Sequence, residues 1–407
     1  MPEDPAREFA VSIARRLRDH GHVAYLAGGC VRDRLLGLVP ADYDVATDAR
    51  PDRIKALFRS AIGVGESFGV MLVRRGELVT EVATFRSDGE YLDRRRPDSI
   101  RFADEASDAA RRDFTVNALF EDPIDGTIVD HVGGRPDLEA RLLRAVGDPK
   151  ARLSEDRLRV LRAIRFAARF GFRIEEGTEA AISGSTPALE GVSRERVGGE
   201  LRRMLADPGR GTAARLLERF ELDREVLGLP RTNPGFELLD GLGDEARDPV
   251  DALAAWLLDR GAAPDAAERE VLRTRLMLSN EESRRLARLF ELVAIMDRWS
   301  ELTVARRIRA GADELHHAAH ALFLVRRPGP GARIREELDQ LLPGGLPPDP
   351  LLDGDDLIEA GLRPGPRFKG ILDSVYDAQL EGRVRDRSEA LQHALDLAVE
   401  PTPETPQ

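Results

Sequence analysis

At 407 residues the chain can bury sizeable cores and is expected to hold roughly two to four domains. Its net charge of −12 argues against a protein that coats nucleic acid nonspecifically, and its single cysteine, Cys30, excludes an internal disulfide. With 42% apolar and 5% aromatic residues, no apolar run of 18 or more and no secretory leader pattern, the sequence predicts a helix-rich cytoplasmic protein without membrane contact.

Taken in order, Phe9, Ile13 and Leu17 recur at helical spacing over residues 5–20 and predict an amphipathic helix. The apolar run Val23 to Ala27 reads as a buried strand, followed at once by Gly28-Gly29 and a short helix that Gly37 stops. Strand, glycine turn and helix start together make a phosphate cradle. Glycines let backbone N–H groups approach an anion, the helix start leaves N–H groups unpaired, and Arg32 adds a full charge.

Next comes Asp42-Tyr43-Asp44. On a strand, alternate residues share a face, so Asp42 and Asp44 are expected side by side, with Tyr43 and Val45 turned into the core. Two close carboxylates call for a hard divalent cation such as Mg²⁺. A phosphate cradle beside such a pair outlines a nucleotidyl-transfer centre. GGCVRD followed by DYD resembles the first motif of the class II tRNA nucleotidyltransferase and bacterial poly(A) polymerase superfamily, a branch of the polymerase-β-like nucleotidyltransferases.

Pro51 to Phe58 predicts a helix. Val70–Val73 and Leu78–Thr84 predict two strands turning at Arg75-Gly76. Glu81 lies in the second strand, where an acid is costly unless it has a task. The resemblance implies that it is a third catalytic carboxylate beside Asp42 and Asp44. Residues 87–101 read as a mobile loop able to fold over substrate. In the resembling family, the loop at this place helps switch from adding C to adding A.

RRDFTVNA, residues 111–118, resembles the family's second motif, a ribose reader. Helical spacing is expected to put Asp113 and Asn117 on one face, with Arg112 reaching phosphate. Ser154 reads as the cap of a helix carrying Asp156, Arg159, Arg162 and Arg165 as one stripe. The string from Ser154 to Phe166 resembles the family's base-reading motif, which implies that this stripe contacts the nucleotide. Val192 to Leu205 looks like the next family helix, a support and RNA contact.

Beyond residue 212 the sequence is helical and less informative. His316, His317 and His320 share a predicted helix but lack the accompanying glutamate of a metalloprotease site. Gly365-Pro366 and Lys369 lie in a tail that resembles that of bacterial CCA-adding enzymes.

The expected fold is an α/β nucleotidyltransferase (polymerase-β-like) head at 1–150 followed by all-α parts. These are a neck at 151–211, a body at 212–342, a linker at 343–350, a tRNA-binding tail at 351–400 and a disordered terminus at 401–407. The resemblance implies template-independent CCA addition to tRNA from CTP and ATP with two metal ions, the tRNA acceptor end being the partner and no obligatory protein partner being evident. CC-only or A-only addition, poly(A) synthesis, and a noncatalytic RNA- or nucleotide-binding module remain alternatives. The role of the body, the oligomeric state and the physiological metal are not legible.

Overall fold

Asp4 caps the first helix: its carboxylate accepts the N–H groups of Ala6 and Arg7 while Pro5 occupies the first turn, which starts helix α1 (Pro5–Asp19). Phe9, Ile13 and Leu17 are buried, as their spacing predicts. The computed structural model describes residues 4–65, 69–88, 100–184, 188–243, 246–262 and 264–399.

The sheet is built from β1 (Ala24–Ala27), β2 (Asp44–Thr47), β3 (Ile62–Gly65), β4 (Val70–Arg75), β5 (Leu78–Thr84), β8 (Leu119–Glu121) and β9 (Ile128–Asp130). Its order is β3-β4-β5-β2-β1-β8-β9, and the β2–β5 pair is parallel while the others are antiparallel. A separate ribbon pairs β6 (Arg86–Asp88) with β7 (Ile100–Phe102). It flanks residues 89–99, so most of the predicted loop over substrate lies outside the described residues. Tyr25, Phe85 and Phe120 pack as an aromatic cluster on the sheet, with ring centroids 6.0–6.4 Å apart.

Helices α2 (Gly29–Leu35), α3 (Pro51–Leu57), α4 (Glu105–Ala110) and α5 (Gly134–Glu139) belong to this head, followed by α6 (Pro149–Glu155), α7 (Leu158–Phe170), α8 (Glu176–Ser183) and α9 (Arg194–Leu205). Two local expectations are corrected. Ser154 does not cap a helix. Asp148-Pro149 opens α6 instead, the Asp148 carboxylate accepting from Ala151 N–H at 2.8 Å. The backbone is then extended at Asp156 (φ −143°, ψ 100°) before α7 begins. Residues 113–117 are also not an α-helix. Phe114 is extended and bridges Ala145, and only Thr115–Asn117 turn, as a 3₁₀ segment.

The chain divides into two compact units, one running to Pro230 and including Glu270–Leu278, the other holding Arg231–Arg269 and Ser279 onward. The second unit is helical. In it His316 and His320 are buried and point ring nitrogens at the carbonyls of Ala310 (3.1 Å) and Gly331 (2.9 Å). Burial, then the neighbouring His320 and His317, pushes His316 down to about 4, so that ring is a neutral packing group. Leu352, Leu357, Ile371, Val375 and Ala390 form a core of their own within the tail. Among the described residues no helix is long and apolar enough to cross a membrane.

Candidate active site

The register of β2 against β5 pairs Val45 with Val82, both fully buried. Their preceding neighbours, Asp44 and Glu81, therefore project together from the opposite face. Asp42 precedes β2, and the inward turn of Tyr43 (4% exposed) and Val45 sends Asp42 outward with Asp44. Tyr43 donates its phenol proton to Asp4 at 2.6 Å, which ties the acidic segment to the start of α1. All three carboxylates line one cleft of about 730 Å³.

Burial, then the charges of Glu81 and Asp42, push Asp44 up to about 7, with Arg112 pulling the other way. Burial and then Asp42 raise Glu81 likewise. Among the described residues no hydrogen bond or ion pair engages the carboxylate oxygens of Asp42, Asp44 or Glu81. Nor do three or more His, Cys, Asp or Glu side chains among the described residues gather into a group that could hold a metal ion by itself. Carboxylates crowded on one face of an open cleft fit Mg²⁺, which takes one or two carboxylates and completes its shell with water and substrate phosphate.

Gly28 lies beside this face with φ 74° and ψ −123°, a conformation suited to glycine alone. A Cβ there would sit 2.6 Å from Nη1 of Arg112. Its amide donates to the Leu119 carbonyl at 2.9 Å, and Gly29 starts α2 at the cleft wall. Arg112 bonds the Asn117 carbonyl (3.1 Å) and Asp108 (3.0 Å) and leans on the Phe120 ring. Gly28→Ala is expected to displace Arg112 and to cost about 1–3 kcal/mol of stability, checked by urea unfolding alongside nucleotide incorporation. Cys30 packs beneath the turn, and burial pushes its thiol up to about 12, so it is no nucleophile.

Arg32 stays beside the glycine turn, its Nη2 3.6 Å from where a Cβ on Gly29 would sit. It touches the cleft but is only 5% exposed. Its guanidinium donates to Asp33 at 2.7 Å and to the Asn117 side chain, and it lies against the rings of Phe166 and Phe170. Asp113 and Asn117 do meet as predicted, at 3.0 Å, although through the 3₁₀ turn. The other Asp113 oxygen accepts twice from Arg162, at 2.8 and 2.6 Å, and this pairing holds the buried Asp113 carboxyl low despite its desolvation.

Asp156, Arg159, Arg162 and Arg165 all reach the cleft. Asp156 caps Leu158 N–H (3.1 Å) and pairs with Arg196 (2.6 Å). Arg159 bonds Glu155 (2.6 Å) and the Arg152 carbonyl (2.8 Å), while Arg165 pairs with the buried Glu200 of α9 at 2.5 Å. Sequence reasoning missed Arg111, Arg169, Arg196 and Arg203 on the same walls. Arg169 continues the stripe one turn past Arg165 and was findable by spacing. Arg196 and Arg203 enter through the packing of α9 on α7, which no local pattern shows.

Residues 24–144 match the family of poly(A) polymerase head domains, and residues 171–234 match the family described as the probable RNA- and SrmB-binding site of polymerase A. A CCA-adding enzyme of Geobacillus stearothermophilus is 34% identical over 395 residues, 95% of this chain and 96% of that one. The corresponding enzyme of Limosilactobacillus fermentum is 34% identical over 403 residues, covering 95% of each. Among solved structures, the Bacillus stearothermophilus CCA-adding enzyme in complex with CTP superposes with a TM-score of 0.80 at 30% identity, covering 97% of this chain and 98% of that one. The Thermotoga maritima enzyme complexed with tRNA shares the fold, with a TM-score of 0.69 at 21% identity over 97% of this chain and 96% of that one. With a carboxylate trio on an α/β head, an arginine-rich helix on the same cleft and full-length relatives at this identity, the chain belongs to the CCA-adding enzymes, tRNA nucleotidyltransferases built on a poly(A) polymerase-type head.

Proposed function

We infer that this chain restores the CCA end of tRNA, taking CTP and ATP in turn without a nucleic-acid template, in the cytoplasm where those substrates occur. The observation that carries this reading is the shared cleft, whose walls hold Asp42, Asp44 and Glu81 on one side and Asp156, Arg159 and Arg162 on another. Asp42 and Asp44 would hold Mg²⁺, whose chemistry when bound is to acidify the RNA 3′ hydroxyl and to steady the triphosphate and departing pyrophosphate. Glu81 adds negative charge on the same face and orients what binds there. Gly28 makes the turn that lets Gly29, at the start of α2, present backbone to the phosphates, and Arg112 supplies positive charge beside them. Asp113 and Asn117 form the polar patch that suits a ribose hydroxyl, and Asp156 with Arg159 faces the base.

The direct test supplies purified protein with tRNA lacking its last three nucleotides and each NTP singly or paired, reading products on a gel. Full restoration with CTP plus ATP supports the reading. Arrest after two C residues, or addition of A alone, would assign a partial enzyme. Long A tails on arbitrary RNA would assign a poly(A) polymerase, and no extension at all would leave a binding module. Selection of tRNA by shape is expected to depend on the tail. Deleting residues 351–407 should raise KM for tRNA on the order of tenfold, as loss of one of two linked binding regions does, and leave KM for ATP within about twofold. Steady-state kinetics with tRNA and ATP varied separately check this.

A further inference from the structure

We propose that the hydrogen bond from Tyr43 to Asp4 is a positioning device that holds Asp42 in place beside Asp44, so that the first turn of α1 sets how tightly the cleft takes its cation. The two aspartates are not held alike. Asp44 opens β2 and is paired with Ala27 in the ladder. Asp42 lies ahead of the ladder, at the end of a segment that runs over the surface, where Leu38, Val39, Ala41 and Asp42 itself are exposed. Two carboxylates on one face repel each other, and the repulsion moves the less restrained of them, Asp42. The residue between them opposes that movement. Tyr43 is buried, and its phenol O–H donates to Oδ2 of Asp4 at 2.6 Å, a short bond to a carboxylate.

A tether positions a group only if its far end is fixed, and Asp4 is held by several contacts. Its other oxygen, Oδ1, accepts from the N–H groups of Ala6 and Arg7 at 3.1 and 3.2 Å. The Arg7 guanidinium reaches Glu121 of β8 at 3.2 Å, and that buried carboxylate also accepts from Arg34 of α2. Phe9, Ile13 and Leu17 bury the inner side of α1. The first turn of α1 therefore joins β2, through Tyr43, to α2, which begins at the glycine turn. Neither Asp4 nor Tyr43 lines the cleft, so both act through the aspartates and not on substrate. Metal sites depend on such outer supports, because energy used to draw a ligand into place is lost from affinity.

The proposal rests on the metal-dependent reading of the cleft, and the test separates the two. Full-length wild type, Tyr43→Phe and Asp4→Ser are compared. Tyr43→Phe keeps the ring and loses the O–H. Asp4→Ser keeps a capping oxygen for α1 but is too short to reach Tyr43. Mn²⁺, which takes the same oxygen ligands as Mg²⁺, is titrated into each protein without tRNA or nucleotide, the free ion being read by electron paramagnetic resonance. The Mg²⁺ dependence of CCA addition to tRNA and the Tm are recorded alongside. The expected result is that both variants bind Mn²⁺ about tenfold more weakly and need about tenfold more Mg²⁺ for half-maximal rate, the low end of the cost of losing an outer support of a metal site. At saturating Mg²⁺ their kcat should return to within about twofold of wild type, with the preference for CTP and ATP unchanged, because the base readers are untouched. If Asp4→Ser fails to fold, Tyr43→Phe decides alone. The proposal is overturned if a folded variant binds Mn²⁺ and responds to Mg²⁺ as wild type does, because the two ends of one tether must act alike. It is equally overturned if the variants lose rate at every Mg²⁺ concentration with Mn²⁺ binding intact, since the bond then only holds the fold. A wild type that binds no Mn²⁺ and whose rate ignores Mg²⁺ would instead remove the metal reading itself.

Discussion

Asp44→Asn is expected to be inactive in nucleotide transfer and yet, in metal-free buffer at pH 8, more stable than the parent chain. The activity loss should be on the order of 10³-fold or more, the scale of removing a group that organises charge in the transition state. The stability gain follows from the cleft. Burial with Glu81 and Asp42 nearby raises Asp44 from 3.8 to about 7. In the unfolded chain the group ionises near its ordinary value, whereas the native state resists ionisation until about pH 7. The unfolded state therefore loses its proton first, and the parent loses stability as pH rises through that window, the full cost being present above it. An amide at residue 44 carries no charge to bury, so the variant escapes this loss.

The expected gain is about 2–3 kcal/mol, or a Tm higher by roughly 4–10 °C in metal-free buffer. Adding Mg²⁺ should raise the parent's Tm by binding the native state and should do little for the variant. Calorimetry at pH 5 and pH 8, with and without Mg²⁺, checks both statements. A parent whose Tm is indifferent to Mg²⁺ and to pH across this range would remove the metal assignment, whatever the mutants do to activity.

Much of this site was legible because local rules fix it. The strand, the Gly28-Gly29 turn and the alternation of Asp42, Tyr43, Asp44 and Val45 follow from neighbouring residues alone, and the structure keeps all of them. Glu81 needed a tertiary fact, the parallel pairing of β5 with β2, and only the family resemblance hinted at it. The Asp113–Asn117 contact was found for an insufficient reason. Five residues closing on themselves through a 3₁₀ turn make the same pair as a helix would, and the extension of Phe114 depends on Ala145, far along the chain. The break at Asp156 was hidden because Ser-Glu-Asp resembles a cap, while Asp148-Pro149, the working start signal, reads equally well as a turn. The place of Arg32 beside the glycine turn follows from its neighbours, whereas its packing on two phenylalanines of a distant helix is a tertiary fact that the sequence does not show.

Base choice without a template is expected to fail in a specific way when Asp156 or Arg159 is removed. At the matching position of their Watson–Crick edge, cytosine and adenine carry an exocyclic amine beside an unprotonated ring nitrogen, where uracil and guanine carry a carbonyl beside an N–H. A carboxylate accepts from the amine and a guanidinium donates to the ring nitrogen, giving two charge-assisted bonds. Uracil and guanine would set a carbonyl against the carboxylate and an N–H against the guanidinium, leaving polar groups unpaired. Asp156 stands at the entrance of α7 with Arg159 one turn in, the Arg159 N–H bonding the Asp156 carbonyl at 2.9 Å, so the two side chains emerge close together on the cleft wall. Before a nucleotide binds, Asp156 is occupied by Arg196 and Arg159 by Glu155. An incoming base must share or replace those partners, which a wrong base cannot repay. Asp156→Ala and Arg159→Ala are therefore expected to admit UTP or GTP, with a loss of discrimination of about 1–3 kcal/mol. Because Asp156 also caps Leu158, Asp156→Asn serves as the companion variant: its amide oxygen can keep the cap while its amide nitrogen presents a donor where an acceptor is needed. The measurement is kcat/KM for all four NTPs on tRNA lacking its CCA end, with Tm as the control for folding. If all three variants lose rate uniformly and still exclude UTP and GTP, then Asp156 and Arg159 only brace α7, and selection lies with Arg162 and the RNA terminus.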